Sequence, residues 1–177
     1  MTDEHPFAQF HYCPKCGSSH FVVNNFKSKR CEDCGFVYYF NPSAATVAVI
    51  INQHHELLTC IRAKNPAKGT LDLPGGFTDC FESSEEGVTR EVKEETGLDV
   101  IHTKFLFSLP NTYLYSGFLV HTVDHFFRCD VKHPETALGM DDAAELRWIA
   151  IDELRPEEFG LDSIRTGIKK LMDEQLI

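Results

Sequence analysis

Six glutamates crowd residues 76–98, GFTDCFESSEEGVTREVKEETGL: Glu82, Glu85, Glu86, Glu91, Glu94 and Glu95, against only Arg90 and Lys93. A helix turns about 100° per residue, so Glu91 and Glu95 stand about 40° apart beside the apolar stripe of Val88 and Val92, with Glu94 about 60° beyond Glu91. Three carboxylates therefore share one flank. Like charges at that spacing repel by roughly a few tenths of a kcal/mol per pair on an open helix, and a hard divalent cation turns that repulsion into attraction. Oxygen-only ligands favour Mg²⁺ or Mn²⁺. Gly87 falls in the same sector, where a missing side chain costs helix stability but leaves room for a ligand or a loop. Upstream, Gly75 and Gly76 let backbone carbonyls approach a cation, which makes the Gly75 carbonyl a candidate ligand beside Glu91, Glu94 and Glu95.

A second set of ligands lies near the N-terminus. Cys13, Cys16, Cys31 and Cys34 form C-x2-C-x14-C-x2-C, whereas Cys60, Cys80 and Cys129 are dispersed and read as ordinary reduced thiols. Each CxxC-Gly brings two thiolates together on one tight turn, and four sulfurs suit tetrahedral Zn²⁺. So small a module buries too little apolar surface to fold unaided, so the metal is expected to have a structural role. Lys15, Lys27, Lys29 and Arg30, with Phe21 and Phe26, are the residues through which such a ribbon would touch nucleic acid. Four basic side chains are few for a phosphate track, and the net charge of −10 disfavours nonspecific duplex binding. Nucleic acid is not the expected partner.

The elements that must position these groups follow from local signals. Ser83-x-x-Glu86 is a capping box and Gly97 a left-handed stop, which bracket about three helical turns. Asn41-Pro42-Ser43 is turn punctuation, dividing an arm and zinc ribbon (1–41) from a larger domain (42–177). The arm, residues 1–11, has no clear period and reads as loose, although Phe7 and Phe10 could dock. Residues 46–51 and 57–62 read as strands, 100–109 and 113–131 as strand-rich, and 145–149 as a short strand with Trp148 in the core. Residues 152–159 read as a short helical turn broken by Pro156, and Asp162 as the cap of a final amphipathic helix to about residue 175. Arg62, on its strand, is a candidate to face phosphates, with a surface or salt-bridge role as the alternative. Tyr113 and Tyr115 are expected to place one ring in a pocket, stacked on a base or nicotinamide, and the other elsewhere. No apolar run reaches membrane-span length and no signal peptide opens the chain, so a cytoplasmic location is expected.

Gly76-x5-Glu82-x7-Arg90-Glu91-Val92-x-Glu94-Glu95-x-Gly97-Leu98 resembles the Nudix box at every defined position. The resemblance implies an α+β fold, a Nudix α/β/α sandwich with a mixed β-sheet, and Mg²⁺- or Mn²⁺-dependent hydrolysis of the pyrophosphate linkage in a nucleoside diphosphate derivative. It further implies Glu91 and Glu95 as metal ligands with Glu94 completing the shell, Glu82 paired with Arg90 to orient Glu91, and a later acid as base or ligand, Glu145 first and Asp142 second. A zinc ribbon before such a domain is similar to the NADH pyrophosphatases, which implies a dinucleotide such as NADH, or an ADP-ribose type compound, as the small-molecule substrate. Homodimers are common among such enzymes. Those enzymes carry SQPWPFPxS after the box. Residues 108–116 here keep Ser108, Pro110, an aromatic and Ser116 but lack the Gln, the Trp and two prolines. The competing class is a non-catalytic nucleotide-sensing regulator whose ribbon meets a partner or nucleic acid, and the complete set of box carboxylates speaks against it. Replacing Cys13 and Cys31 by serine is expected to release zinc and loosen the ribbon. Elemental analysis of the intact protein checks this, and finding no zinc there removes the assignment.

Overall fold

The computed structural model describes residues 5–139 and 143–177. The chain forms two compact units, Met1–Pro42 and Ser43–Ile177. In the first, β1 (Phe21–Asn25), β2 (Ser28–Cys31) and β3 (Val37–Tyr39) make an antiparallel sheet in that order. Over its described part the arm docks, and it does so through Phe7. Phe7 is buried, with its ring stacked 5.0 Å from Tyr38 and edge-on to Phe10 and Phe40. His5 Nε2 lies 2.8 Å from the Asn25 carbonyl oxygen.

The second unit is built on β4 (Ser43–Val49), β8 (Phe118–Lys132) and β7 (Asp99–Tyr115), a mixed sheet in the order β4-β8-β7. β4 runs parallel to β8, and β8 antiparallel to β7. The β-branched run after Pro42 is apolar at consecutive positions because the sheet is covered on both faces. Ala48, Ile50, Phe127 and Cys129 pack against Val88 and Val92 of the helix α1 (Ser84–Thr96). Val47, Val49, Phe107 and Phe126 pack against Ile164, Ile168 and Leu171 of α2 (Asp162–Asp173). The sheet and its two helices are an α/β/α sandwich. A smaller sheet, β6 (Leu71–Asp72), β5 (Glu56–Arg62) and β9 (Ala143–Ala150), continues it: Leu57 joins the α2 layer and Leu58 the α1 layer. Trp148 is only partly buried, against the α1 layer.

Two local expectations are corrected. No break separates 100–109 from 113–131 at residues 110–112. One strand runs through them, and the reversal falls at Ser116 and Gly117, whose φ of 51° and 73° suit a tight two-residue hairpin turn. Pro110 is accommodated because β7 is an edge strand, where a missing N–H leaves no neighbour unpaired. At α2, Asp162 is the first helical residue rather than the cap. It pairs with Arg165 at 2.8 Å, and Leu161 caps without a side-chain bond. Residues 152–159 form two single 3-10 turns, Ile151–Glu153 and Pro156–Glu158.

The capping box of α1 is present in both directions. Glu86 N–H donates to Ser83 Oγ at 3.2 Å, and Ser83 N–H to the Glu86 carboxylate at 2.8 Å. At the other end Gly97 takes φ 71°. Ser83→Ala is expected to cost about 1 kcal/mol, and Ser83→Gly only a few tenths, roughly. Urea denaturation checks both, and equal losses would mean that the side-chain bond is not what holds the helix start.

Candidate active site

Residues 74–78 run beside β4 and are stitched to it by Ala48 N–H to Pro74 O (2.8 Å), Thr46 N–H to Gly76 O (2.8 Å) and Thr78 N–H to Ala44 O (3.1 Å). Two glycines make that approach feasible. Gly75 sits at φ 149°, and a Cβ there would stand 2.1 Å from the Thr46 carbonyl oxygen. A Cβ on Gly76 would lie 2.6–2.8 Å from the carboxylate of Glu91. The loop therefore closes over the acidic flank of α1, and Gly75 N–H donates to Glu95 Oε2 at 2.9 Å.

Arg90 fastens the remaining carboxylates. Its guanidinium donates to Glu82 Oε1 and Oε2 at 2.9 and 3.0 Å, to Glu91 Oε1 at 2.8 Å, to Glu94 Oε2 at 2.9 Å and to the Phe77 carbonyl at 3.0 Å. The charges diverge accordingly. Arg90 and the Asp79 N–H hold the Glu82 carboxyl below its usual value, and Glu82 foremost keeps Arg90 firmly protonated. Glu91 goes the other way: burial pushes its carboxyl up, Arg90 opposes, and Glu94 and Glu82 add to the rise. Five carboxylates, Glu82, Glu91, Glu94, Glu95 and the more distant Asp79 at 3.8 Å, stand against one guanidinium within this cluster. Surplus negative charge on hard oxygens, partly desolvated at Glu91 and closely approached by the bare backbone of Gly76, fits a hard divalent cation. Glu91, Glu94 and Glu95 are the groups placed to hold one.

Next to this flank lies a cavity of about 450 Å³ whose walls include Gly75, Gly76, Glu95, Arg62, Tyr113 and Tyr115. Tyr113 and Tyr115 do not divide between pocket and elsewhere. Residues two apart on a strand share a face, and both rings line the cavity, Tyr113 half-buried and Tyr115 exposed. Burial pushes the Tyr113 phenol up, so it remains a donor at neutral pH. Arg62 is committed on two sides: Nε donates to the Pro66 carbonyl at 2.7 Å, and Nη1 pairs with the buried carboxylate of Asp72. Burial pushes Asp72 up while Arg62 opposes. Glu145 is exposed on β9 and bonds Arg147 at 2.9 Å, with no bond to the carboxylates of α1 among the described residues. Asp142 lies outside the described residues.

Sequence reading passed over three wall residues. Asn111, Thr122 and Asp124 are buried on the same sheet face as Tyr113. Period-2 alternation carried through Pro110 would have found Asn111. Asp124 accepts from the Thr122 and Ser163 hydroxyls.

In the first unit the four cysteine sulfurs lie within 4.8 Å of one another, and Cys13 to Cys34 and Cys16 to Cys31 measure 3.8 and 3.6 Å. Those separations are far beyond a disulfide and match the edges, about 3.8 Å, of a tetrahedron with ~2.3 Å Zn–S bonds. Gly17 and Gly35 N–H close the two turns onto the Cys13 and Cys31 carbonyls at 2.8 and 3.0 Å. Backbone N–H groups of Cys34 and Asp33 hold the Cys31 thiol below its ordinary value, against burial. Of the basic residues weighed for nucleic acid, Lys29 is spent internally, its Nζ donating to the Phe10 carbonyl at 2.7 Å.

The NUDIX domain family matches residues 41–171. An ADP-ribose pyrophosphatase of Methanocaldococcus jannaschii is 36% identical over 128 residues, 71% of this chain and 72% of that protein. A NAD-capped RNA hydrolase NudC of Vibrio vulnificus is 27% identical over 147 residues, 82% of this chain. The chain matches only 52% of the length of that relative. Among solved structures, a NUDIX hydrolase of Nitrosomonas europaea superposes with a TM-score of 0.73 at 20% identity, covering 94% of this chain and 92% of that one. No helix among the described residues is long and apolar enough to cross a membrane.

These contacts give the loss of Arg90 an expected consequence with a definite sign. Arg90→Met removes the charge that draws Glu91 down and leaves burial, Glu94 and Glu82 pushing it up. Glu91 then takes its proton at higher pH, so the acid limb of the kcat/KM profile moves to higher pH, and activity at neutral pH falls about 10- to 100-fold. Stability carries the opposite sign: a carboxyl with a raised folded pKa loses stability as pH rises through that value. An unmoved acid limb would show that Arg90 does not govern Glu91.

Proposed function

Because the chain belongs to the Nudix family, we propose that it is a pyrophosphohydrolase acting on the diphosphate of a dinucleotide or ADP-ribose type compound. The observation that supports this most directly is the shared cavity, in which Glu95, Gly75 and Gly76 meet Arg62 and Tyr113. Carboxylates for a cation, a guanidinium and an aromatic ring line one space. A volume of about 450 Å³ falls within the range of small-molecule sites, roughly 300–1,000 Å³. The names of the two relatives support this substrate class, because ADP-ribose and NAD share an adenosine diphosphate joined to ribose.

Glu91, Glu94 and Glu95 hold Mg²⁺ or Mn²⁺ in this reading, with the Gly75 carbonyl beside them, and four cysteines hold a structural Zn²⁺. The bound divalent ion supplies neutralisation of the phosphate charge and an acidified water. The chain's own residues do the positioning. Glu82 and Arg90 keep the Glu91 carboxylate in place, Gly75 N–H orients Glu95, Asp72 braces Arg62 toward the phosphates, and Tyr113 and Tyr115 offer faces for a ring. A homodimer is the assembly to look for in solution.

Glu95→Gln keeps an oxygen to accept from Gly75 N–H but loses a charge, so turnover should fall on the order of 100-fold or more while the melting temperature holds. Full activity in that variant on every substrate cleaved would end the assignment. The substrate test is a Mg²⁺-dependent panel of NADH, NAD⁺, ADP-ribose, diadenosine polyphosphates, NTPs and NAD-capped RNA. AMP plus a second monophosphate is expected from the dinucleotide and ADP-ribose members. Pyrophosphate released from NTPs alone would replace this reading with nucleotide clearance, and no hydrolysis at all would favour a sensing role.

A further inference from the structure

Among the described residues only two buried side-chain polar atoms have no hydrogen-bond partner, Thr78 Oγ1 and Asn111 Oδ1. Asn111 lines the cavity and is 5% exposed. The residue paired with it across β7 and β8 is Thr122, but that hydroxyl is given to Asp124, whose other oxygen accepts from Ser163. The neighbouring polar groups are therefore mutually satisfied, and Asn111, in the cavity wall, keeps a buried Oδ1 without a donor. A buried acceptor left unpaired destabilises the free protein. An apolar side chain of similar size would avoid that cost.

The setting narrows what would complete it. Tyr113 lies two residues along the same face, and Glu95 lines the same cavity. A carboxamide offers an acceptor and a donor side by side in one plane, and its natural complement is a planar group presenting an N–H beside an acceptor. Resting on the dinucleotide reading above, we infer that Asn111 is the specificity-determining residue of the cavity and pairs with such an edge on the ring of the substrate. Two parts of a nicotinamide dinucleotide carry that edge, the amino side of adenine and the carboxamide of nicotinamide.

The test is equilibrium binding by calorimetry in a Glu95→Gln background, which suppresses turnover. Three probes are compared: NAD⁺, its hypoxanthine analogue, in which the adenine amine is replaced by oxygen, and its nicotinic acid analogue, in which the carboxamide is replaced by carboxylate. The inference expects NAD⁺ to bind more tightly than one of the two analogues. Asn111→Leu should weaken NAD⁺ about 10- to 100-fold, the range of one bidentate amide pair, and erase the discrimination. A preference against the hypoxanthine analogue identifies adenine as the group read, and one against the nicotinic acid analogue identifies nicotinamide.

Thermal unfolding separates this role from a structural one. Removing an unsatisfied amide should leave the melting temperature of Asn111→Leu unchanged or higher, whereas a lower value would show that Asn111 serves the fold and would overturn the inference. Undiminished NAD⁺ binding in Asn111→Leu overturns it as well, and leaves the proposed reaction standing. A wild-type protein that neither binds nor hydrolyses any of the three probes in the presence of Mg²⁺ overturns the dinucleotide reading and the inference with it.

Discussion

One guanidinium holds the acidic flank together. Arg90 donates to Glu82, Glu91 and Glu94 and to the Phe77 carbonyl, so it joins the helix to the loop that precedes it. Without that charge, the carboxylates facing the loop would repel one another and would spread into solvent. The bare backbone at Gly76, where an added Cβ would collide with the Glu91 carboxylate at 2.6 Å, would then have nothing to close over. A net negative cluster held in this way is under electrostatic load in the absence of a cation. Function explains why a fold would keep so unfavourable an arrangement.

The sheet has a corresponding compromise. Along one face of β7 and β8 the cross-strand pairs run Phe107 with Phe126, Leu109 with Asp124, Asn111 with Thr122 and Tyr113 with Val120. The first of these packs under α2, where Gly167 lies so close that an added Cβ would sit 2.4 Å from the Phe126 ring. Two pairs farther on, the same face is polar and no longer covered by the helix core. One strand alternation thus builds core at one end and cavity wall at the other. Rigidity from the packed end fixes the wall, which is the arrangement a selective site requires.

The helix and the cysteine cluster were legible in the sequence because their information is local. Ser83, Glu86 and Gly97 define the limits of α1 through bonds spanning three or four residues, and each CxxC-Gly brings its two sulfurs together within one turn. The cavity wall was not, because it depends on register. Pro110 reads as an interruption unless β7 is known to be an edge strand, and Asn111 becomes significant only once Thr122 is placed opposite it and found committed to Asp124. Arg62 was visible as a strand cation, but its brace, Asp72, lies across a strand pair ten residues away. Glu145 was expected as the later acid, and its exposed carboxylate accepts from Arg147 on the same strand.

This division has a physical basis that bears on function. Reaction chemistry at a diphosphate needs charge at fixed spacing, which one helix supplies from consecutive turns, so the groups that would do it sit within a few residues of one another. Recognition of a ring needs groups converging from several directions, which only a folded sheet supplies. The cavity places both kinds side by side, Glu95 and Gly75 from the local set, and Arg62, Asn111 and Tyr113 from the long-range set. Substitutions in the long-range set can alter which ring is accepted while leaving the acidic helix intact. A change such as Asn111→Leu even removes a buried unsatisfied group, so specificity at that wall is bought against stability.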